Sequence, residues 1–131
     1  MNALFDSNRK FLLFDALVSH GQLLLRAEKN EEHASNIDLL FFDTTYVQLP
    51  TQLLHGISIH QELSGKRFGY QRVDQGLDRQ YQTLFELRTG PECYYIAAAF
   101  FRAYVNTLPF GETSLGVLTY QGREKEIASS L

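Results

Sequence analysis

Hydrophobic and polar residues alternate along much of the chain, most regularly over residues 10–29. Such alternation is typical of strands, and the His20-Gly21 pair in the middle predicts a tight hairpin turn, since glycine suits a positive φ. In the register that this turn implies, Asp15 lies opposite Arg26, where opposite charges stabilise a strand pair. The segment therefore predicts a β-hairpin, with a helix over its first half as the alternative.

A longer apolar run over residues 37–49 predicts the third strand, and Asp43 lies in phase with its hydrophobic positions. A strand of this length often contains a bulge or bend, and we expect it at the polar cluster Asp43-Thr44-Thr45. Pro50 ends the strand, because proline lacks a backbone N–H for the ladder.

Residues 91–108 form the most ambiguous segment of the chain. Pro91 is a favoured first-turn residue, so a helix over 91–108 is one interpretation. The abundance of Tyr, Phe, Ile and Val instead favours a strand that is apolar on both faces apart from Arg102, and we adopt this second interpretation. Further strands are predicted over residues 54–63, 81–87 and 114–122, and the charged tail that follows is expected to fray.

The composition supports a single β domain. The chain of 131 residues has the usual length of one domain, and its 44% hydrophobic content suffices for a packed core. Ten Phe and seven Tyr favour strands, because aromatic side chains pack well on a pleated surface. We expect residues 1–131 to form one antiparallel β domain of about six or seven strands, a β-barrel or a two-sheet sandwich. A helix at 91–108 would change the class to α+β.

Charge and cysteine content narrow the partners and the compartment. The net charge of -3 gives no general attraction to a polyanion, so nucleic acid is not an expected partner. Cys93 is the single cysteine, which excludes an internal disulfide and a cysteine-built zinc site, and we expect its thiol to be buried and inert. No secretion signal or membrane-length apolar run is apparent, so a cytoplasmic location without a membrane partner is expected.

Asp43 is the first candidate for chemistry. A carboxylate among hydrophobic neighbours could act in proton transfer, and His60 and Glu62 could join it if their strands paired as a hairpin. This site would suit a small hydrolase or isomerase. The structural alternatives are that Asp43 accepts backbone hydrogen bonds at a bulge, or that it pairs with Arg102. The sequence contains no dinucleotide motif G-x-G-x-x-G, no phosphate-binding motif G-x-x-x-x-G-K-[ST] and no zinc motif H-E-x-x-H. We therefore predict neither a cofactor nor a metal site.

The glycine-rich stretch of residues 64–80 is the candidate partner-binding loop. It interleaves cationic and aromatic side chains, a composition that is common at interface hot spots. Acidic residues in and near the loop offset most of this charge, so a solvated surface loop without a partner is the preferred interpretation. If any segment of the chain binds a partner, we expect it to be this one. The residues that we predict to bind are Lys66, Arg67, Phe68, Tyr70 and Arg72.

Together these features predict a non-enzymatic binding or assembly module that is homo-oligomeric. Strands that are apolar on both faces need a cover beyond one sheet, and a second copy could provide it. The alternatives are the acid/base enzyme around Asp43 and His60, and a carrier whose barrel interior holds an apolar small molecule.

Overall fold

Two antiparallel sheets make up the fold of the described residues. The computed structural model describes residues 3–62, 82–116 and 120–131. The strands in these ranges are β1 (Phe5–Ser7), β2 (Phe11–Leu17), β3 (Gln22–Ala27), β4 (Asn36–Phe42), β5 (Tyr46–Gln48), β6 (Gln52–Leu53), β7 (Ile57–Gln61), β8 (Thr83–Thr89), β9 (Glu92–Ala98), β10 (Phe100–Asn106) and β11 (Glu126–Ser129).

The two sheets confirm the predicted antiparallel β class. Of the two predicted architectures, they fit the two-sheet sandwich and not the β-barrel. In the described residues the five-stranded sheet has the order β1-β7-β8-β9-β5, and the six-stranded sheet has the order β11-β10-β4-β3-β2-β6. Neither sheet closes into a barrel within these residues. The alternative helix at 91–108 does not form, because strands β9 and β10 occupy this segment.

The main core lies between the two sheets. Phe85 of the five-stranded sheet packs edge-on against Phe41 and Phe101 of the six-stranded sheet, with ring centroids 5.7 and 5.4 Å apart. All three rings are at most 1% exposed. Full burial of such a side chain contributes about 1.5 to 3 kcal/mol, so this aromatic trio is a major link between the sheets.

The two long predicted strands each divide and cross between sheets. Residues 37–49 become β4 in the six-stranded sheet and β5 in the five-stranded sheet, while residues 91–108 become β9 and β10. The two bends lie side by side, since Ala99 N–H donates to Phe42 O at 2.9 Å and Thr45 N–H donates to Ala97 O at 2.9 Å. The backbone therefore stays hydrogen-bonded where both segments change sheets.

The β2–β3 hairpin is confirmed, but its predicted register is wrong. Leu17, not Ser19, pairs with Gln22, because a three-residue 3-10 helix (Val18–His20) lengthens the turn. The pairing also shifts near the middle of β2. As a result Asp15 lies opposite Leu24, and Arg26 lies beside Asp38 of β4.

The C-terminal segment also differs from the sequence prediction. The expected fraying tail contains β11, which pairs with β10 along the edge of the six-stranded sheet. Residues 114–116 of the predicted strand 114–122 are not in a strand, and residues 117–119 lie outside the described residues. Leu115 instead packs over Leu24, Leu40 and Tyr104 on the outer face of the six-stranded sheet. The chain thus covers part of an apolar outer face by itself.

Candidate functional site

A buried ion pair lies on the outer face of the six-stranded sheet. Arg26 on β3 donates to both carboxylate oxygens of Asp38 on β4, at 2.6 and 2.8 Å, and the side chains are 1% and 0% exposed. Arg26 also donates to Glu112 O at 2.6 Å, and Asp38 accepts from Ser114 Oγ at 2.6 Å. Buried charges require such complete pairing, so this network fixes residues 112–114 over the sheet.

Two asparagines extend the network to the end of the sheet. Asn106 on β10 donates to Asp38 at 2.9 Å and to Gly122 O at 3.1 Å. Asn36 at the start of β4 donates to Asn106 Oδ1 and to Leu108 O, and it accepts from Lys29 N–H. These bonds hold the β3–β4 loop and the segment after β10 in fixed positions beside each other.

A cleft of about 680 Å³ lies at this end of the six-stranded sheet. Three chain segments form it: the connection from β1 to β2, the connection from β3 to β4, and the segment after β10. Loops at the end of a sandwich commonly carry binding residues, because the sheets position them rigidly. The residues that line the cleft are Asn8, Arg9, Lys10, Leu12, Glu28, Lys29, Asn30, Glu32, His33 and Phe110.

The charged groups of the cleft are unpaired with one another. Arg9 Nη2 donates to Ala27 O at 3.3 Å and Glu28 O at 2.9 Å, and Lys29 Nζ donates to Thr107 O at 2.8 Å. Among the described residues, no carboxylate lies within ion-pair distance of Arg9, Lys10 or Lys29. Partial burial lowers the pKa of the Arg9 guanidinium from its usual value, since desolvation disfavours its charge.

Phe110 supplies an apolar surface at the cleft. Its side chain is 84% exposed and follows Pro109 in the segment that the asparagines hold. An exposed aromatic ring has a large apolar area and a face that can stack on a ligand. The cleft therefore combines an accessible ring with cations that form no ion pair within the described residues.

Asp43, the residue that attracted the catalytic hypothesis, is exposed at the bend between β4 and β5. Its φ of 55° lies in the left-handed region, which aspartate tolerates better than most residues. Its carbonyl accepts from Gln82 Nε2 at 3.2 Å, and the next N–H, of Thr44, donates to Gly21 O at 2.8 Å. In this position Asp43 shapes the crossover of the chain.

His60 and Glu62 do not share a hairpin with Asp43. His60 lies in β7 of the five-stranded sheet, whereas Asp43 follows β4 of the six-stranded sheet. Glu62 directly follows β7 and its N–H donates to Leu84 O at 2.8 Å. The strand pairing that the three-residue hypothesis requires is therefore absent from the described part of the chain.

His60 instead lies in a polar patch on the five-stranded sheet. Its Nε2 is 2.7 Å from Ser58 Oγ, and Glu86 is its partner across the ladder. Glu86 accepts from Arg88 Nε at 2.5 Å and from Tyr95 OH at 3.3 Å, and the carboxylate raises the pKa of Arg88 through that hydrogen bond. Glu86 is therefore already bonded within the sheet.

The predicted partner-binding residues belong to a part of the chain that the structure does not describe. Lys66, Arg67, Phe68, Tyr70 and Arg72 lie outside the described residues. The prediction that Cys93 is buried is wrong: its thiol is exposed, because it lies near the start of β9. Among residues 3–62, 82–116 and 120–131, no group of three His, Cys, Asp or Glu side chains is placed to hold a metal.

Comparison with known proteins gives no relative from which a role could be taken. No protein-family model, curated protein or solved structure matches the chain significantly.

In the ranges that the structure describes, no helix has the length and hydrophobicity needed to cross a bilayer.

No residue of this cleft is among the sites predicted from the sequence. Arg9 and Lys29 lie at the two outer ends of the predicted hairpin, so a search for charges at the open end of that hairpin could have found them. Phe110 gave no such signal, because contacts between distant parts of the chain bring its segment to this end of the sheet, among them those of Asn36 with Leu108 and of Lys29 with Thr107.

Proposed function

We propose that this protein is a non-enzymatic binding module, and that its partner binds in the cleft between the β3–β4 loop and Phe110. The observation that carries this proposal is the unpaired, partly desolvated Arg9 guanidinium beside an exposed aromatic ring. Desolvating a cation without a counter-charge costs free energy, and a bound partner would offset that cost.

Binding is favoured over catalysis because the buried charges are occupied in the fold. Asp38 accepts from Arg26, Ser114 and Asn106, so its oxygens hold the outer segment in place. Asp43 lies at the bend that leads into β5, and β8 and β9 separate β5 from β7, which carries His60, so this arrangement gives less support to an acid/base pair.

Self-association and a cytoplasmic location remain predictions. Self-association is supported by β11, which is an edge strand among the described residues and where Ile127 is 44% exposed, since an open edge can pair with another strand. Strands that are apolar on both faces give less support for self-association, because Leu115 covers part of the apolar outer face within the chain. The single cysteine fits a reducing compartment.

The carrier hypothesis has less support. It requires an internal cavity lined by Phe and Tyr, whereas the space between the sheets holds packed side chains such as Phe41, Phe85 and Phe101. The cleft described above lies at the end of one sheet, outside that core.

A fragment screen followed by two-dimensional amide NMR tests the proposal. We expect the hits to shift the amide signals of residues 8–12, 28–33 and 110. The variant Phe110→Ser should lower the affinity of these hits several-fold, because it removes the apolar contact. Val18→Ser is the matched control, since Val18 is 88% exposed at the opposite, turn end of the β2–β3 hairpin. Hits that cluster elsewhere, or that lose equal affinity in both variants, would contradict the proposal.

A further inference from the structure

Part of the Arg9 guanidinium forms no hydrogen bond within the described residues. Both of its hydrogen bonds come from Nη2 and end on backbone carbonyls, of Ala27 and Glu28. Nε and Nη1 donate to no atom of the described residues. A guanidinium holds its donors in a planar fork that fits the two oxygens of a carboxylate, and the described residues leave one edge of this fork to a ligand.

The charge balance of the cleft limits that anion to a small charge. Arg9, Lys10 and Lys29 are opposed by Glu28 and Glu32, which leaves a formal charge of +1 from these five side chains. A single carboxylate would neutralise this charge. A phosphate dianion or a nucleic acid would bring further negative charge close to two glutamates, and like charges at short range repel.

Phe110 adds a requirement for an apolar group near the carboxylate. The ring is 84% exposed and lines the same cleft as Arg9. An apolar or aromatic ligand group placed over this ring would remove both surfaces from water.

We propose that the cleft binds an organic monocarboxylate whose carboxylate contacts Arg9 and whose apolar group packs on Phe110. The inference rests on the proposed function, because it names the ligand class of the same cleft. Two sources share this chemistry: a free carboxylic acid and the C-terminus of a peptide that ends in an apolar residue.

The test is an NMR and calorimetric titration with matched probes. Phenylacetate is compared with benzyl alcohol and with inorganic phosphate, and a short peptide that ends in phenylalanine is compared with its C-terminal amide. We expect phenylacetate or the free-acid peptide to bind in the cleft, with benzyl alcohol and the amide at least about tenfold weaker, since a charge-assisted contact is lost. The preference between the two acids identifies the source.

Variants separate this inference from the proposed function. Arg9→Gln should lower the affinity for the carboxylate probe by about tenfold. Arg102→Gln, which removes a charge that pairs with Glu126 away from the cleft, should leave the affinity unchanged. If Arg9→Gln perturbs the fold, as judged by its amide spectrum, Arg9→Lys replaces it: it keeps the charge but removes the planar fork, and the carboxylate probe should again bind more weakly.

Two outcomes would overturn the inference. Equal binding of benzyl alcohol and phenylacetate in the cleft, or unchanged affinity in the Arg9 variants, would contradict the carboxylate inference and leave the binding-module proposal standing. If neither these probes nor the fragment library shifts the amide signals of the cleft residues, both proposals are contradicted together.

Discussion

At the scale of single residues, the aspartate that stands out in the sequence is not the one on which the fold depends. Asp43 interrupts an apolar run, but it lies exposed at a bend. Asp38 occupies an unremarkable alternate position of the same predicted strand, and it is fully buried against Arg26. The contrast arises because burial depends on what covers a sheet face, and Asp38 is covered by a distant segment through Ser114.

Replacing Asp38 by asparagine should strongly destabilise the protein. The variant keeps an acceptor but leaves the Arg26 charge buried without a counter-charge, which costs about 3 to 5 kcal/mol. Glu126→Gln is the control, because it breaks the partly exposed pair with Arg102 and should cost about 1 kcal/mol or less. Urea unfolding measures both free energies, and similar small losses in the two variants would refute a structural role for the buried pair.

Tyr104 should give the protein a stability that declines in alkaline solution. Burial raises its pKa in the folded state, although the nearby Arg102 charge opposes the shift. As the pH rises past about 10, the usual tyrosine pKa, the unfolded chain releases this proton first. The free energy of unfolding should therefore be unaffected by this group below that range and should fall above it.

The variant Tyr104→Phe isolates this contribution. It cannot ionise, so its free energy of unfolding should decline less between about pH 9 and 11 than that of the natural protein. Some decline should persist, because a hydrogen bond to Glu92 also raises the pKa of Tyr94. Urea unfolding followed by circular dichroism at several pH values measures the difference, and parallel pH curves would count against the assignment.

At the scale of elements, strands were easier to predict than their pairing. The β2–β3 hairpin follows from alternation and from Gly21, whose φ is 63°. Its register depends on a short 3-10 helix and a local irregularity in β2, which alternation does not reveal. A shifted register changes every cross-strand neighbour, so the partner of Arg26 could not be predicted from the hairpin alone.

The segment after β10 depends on one crowded glycine. Gly122 has a φ of 80°, and a Cβ there would lie 2.7 Å from Leu108 Cδ1 and 3.0 Å from Asn106 Nδ2. Gly111 has a φ of 92° but no atom within 4 Å of such a Cβ. An alanine would be strained by the positive φ at either position, and the two positions differ in crowding.

Gly122→Ala should therefore destabilise the protein by about 1 to 3 kcal/mol more than Gly111→Ala, which is the usual cost of overpacking. It should also disturb the amides of Asn106 and Leu108, whose side chains must move. Chemical unfolding and amide NMR of the two variants provide the comparison. An equal loss of stability in both would mean that strain alone governs this segment.

At the scale of the whole molecule, the two crossovers explain why predicted long strands became shorter ones. Each segment contributes one strand to each sheet, and the bends pair with each other through Phe42 and Ala97 carbonyls. This arrangement allows apolar residues on both faces of the segments to be buried, in part between the sheets and in part under Leu115. The apolar runs are thus explained in part without a partner chain.

The strand-rich class, the antiparallel hairpin and the bend at Asp43 could all be predicted from the amino-acid sequence. These features depend on local properties: alternation, aromatic content and the backbone preferences of single residues. The tertiary structure alone decided which strands share a sheet, which aspartate is buried, and that Arg9, Lys29 and Phe110 meet in one cleft. Those features depend on contacts between residues far apart in the chain, such as Asn36 with Asn106, which local periodicity does not encode.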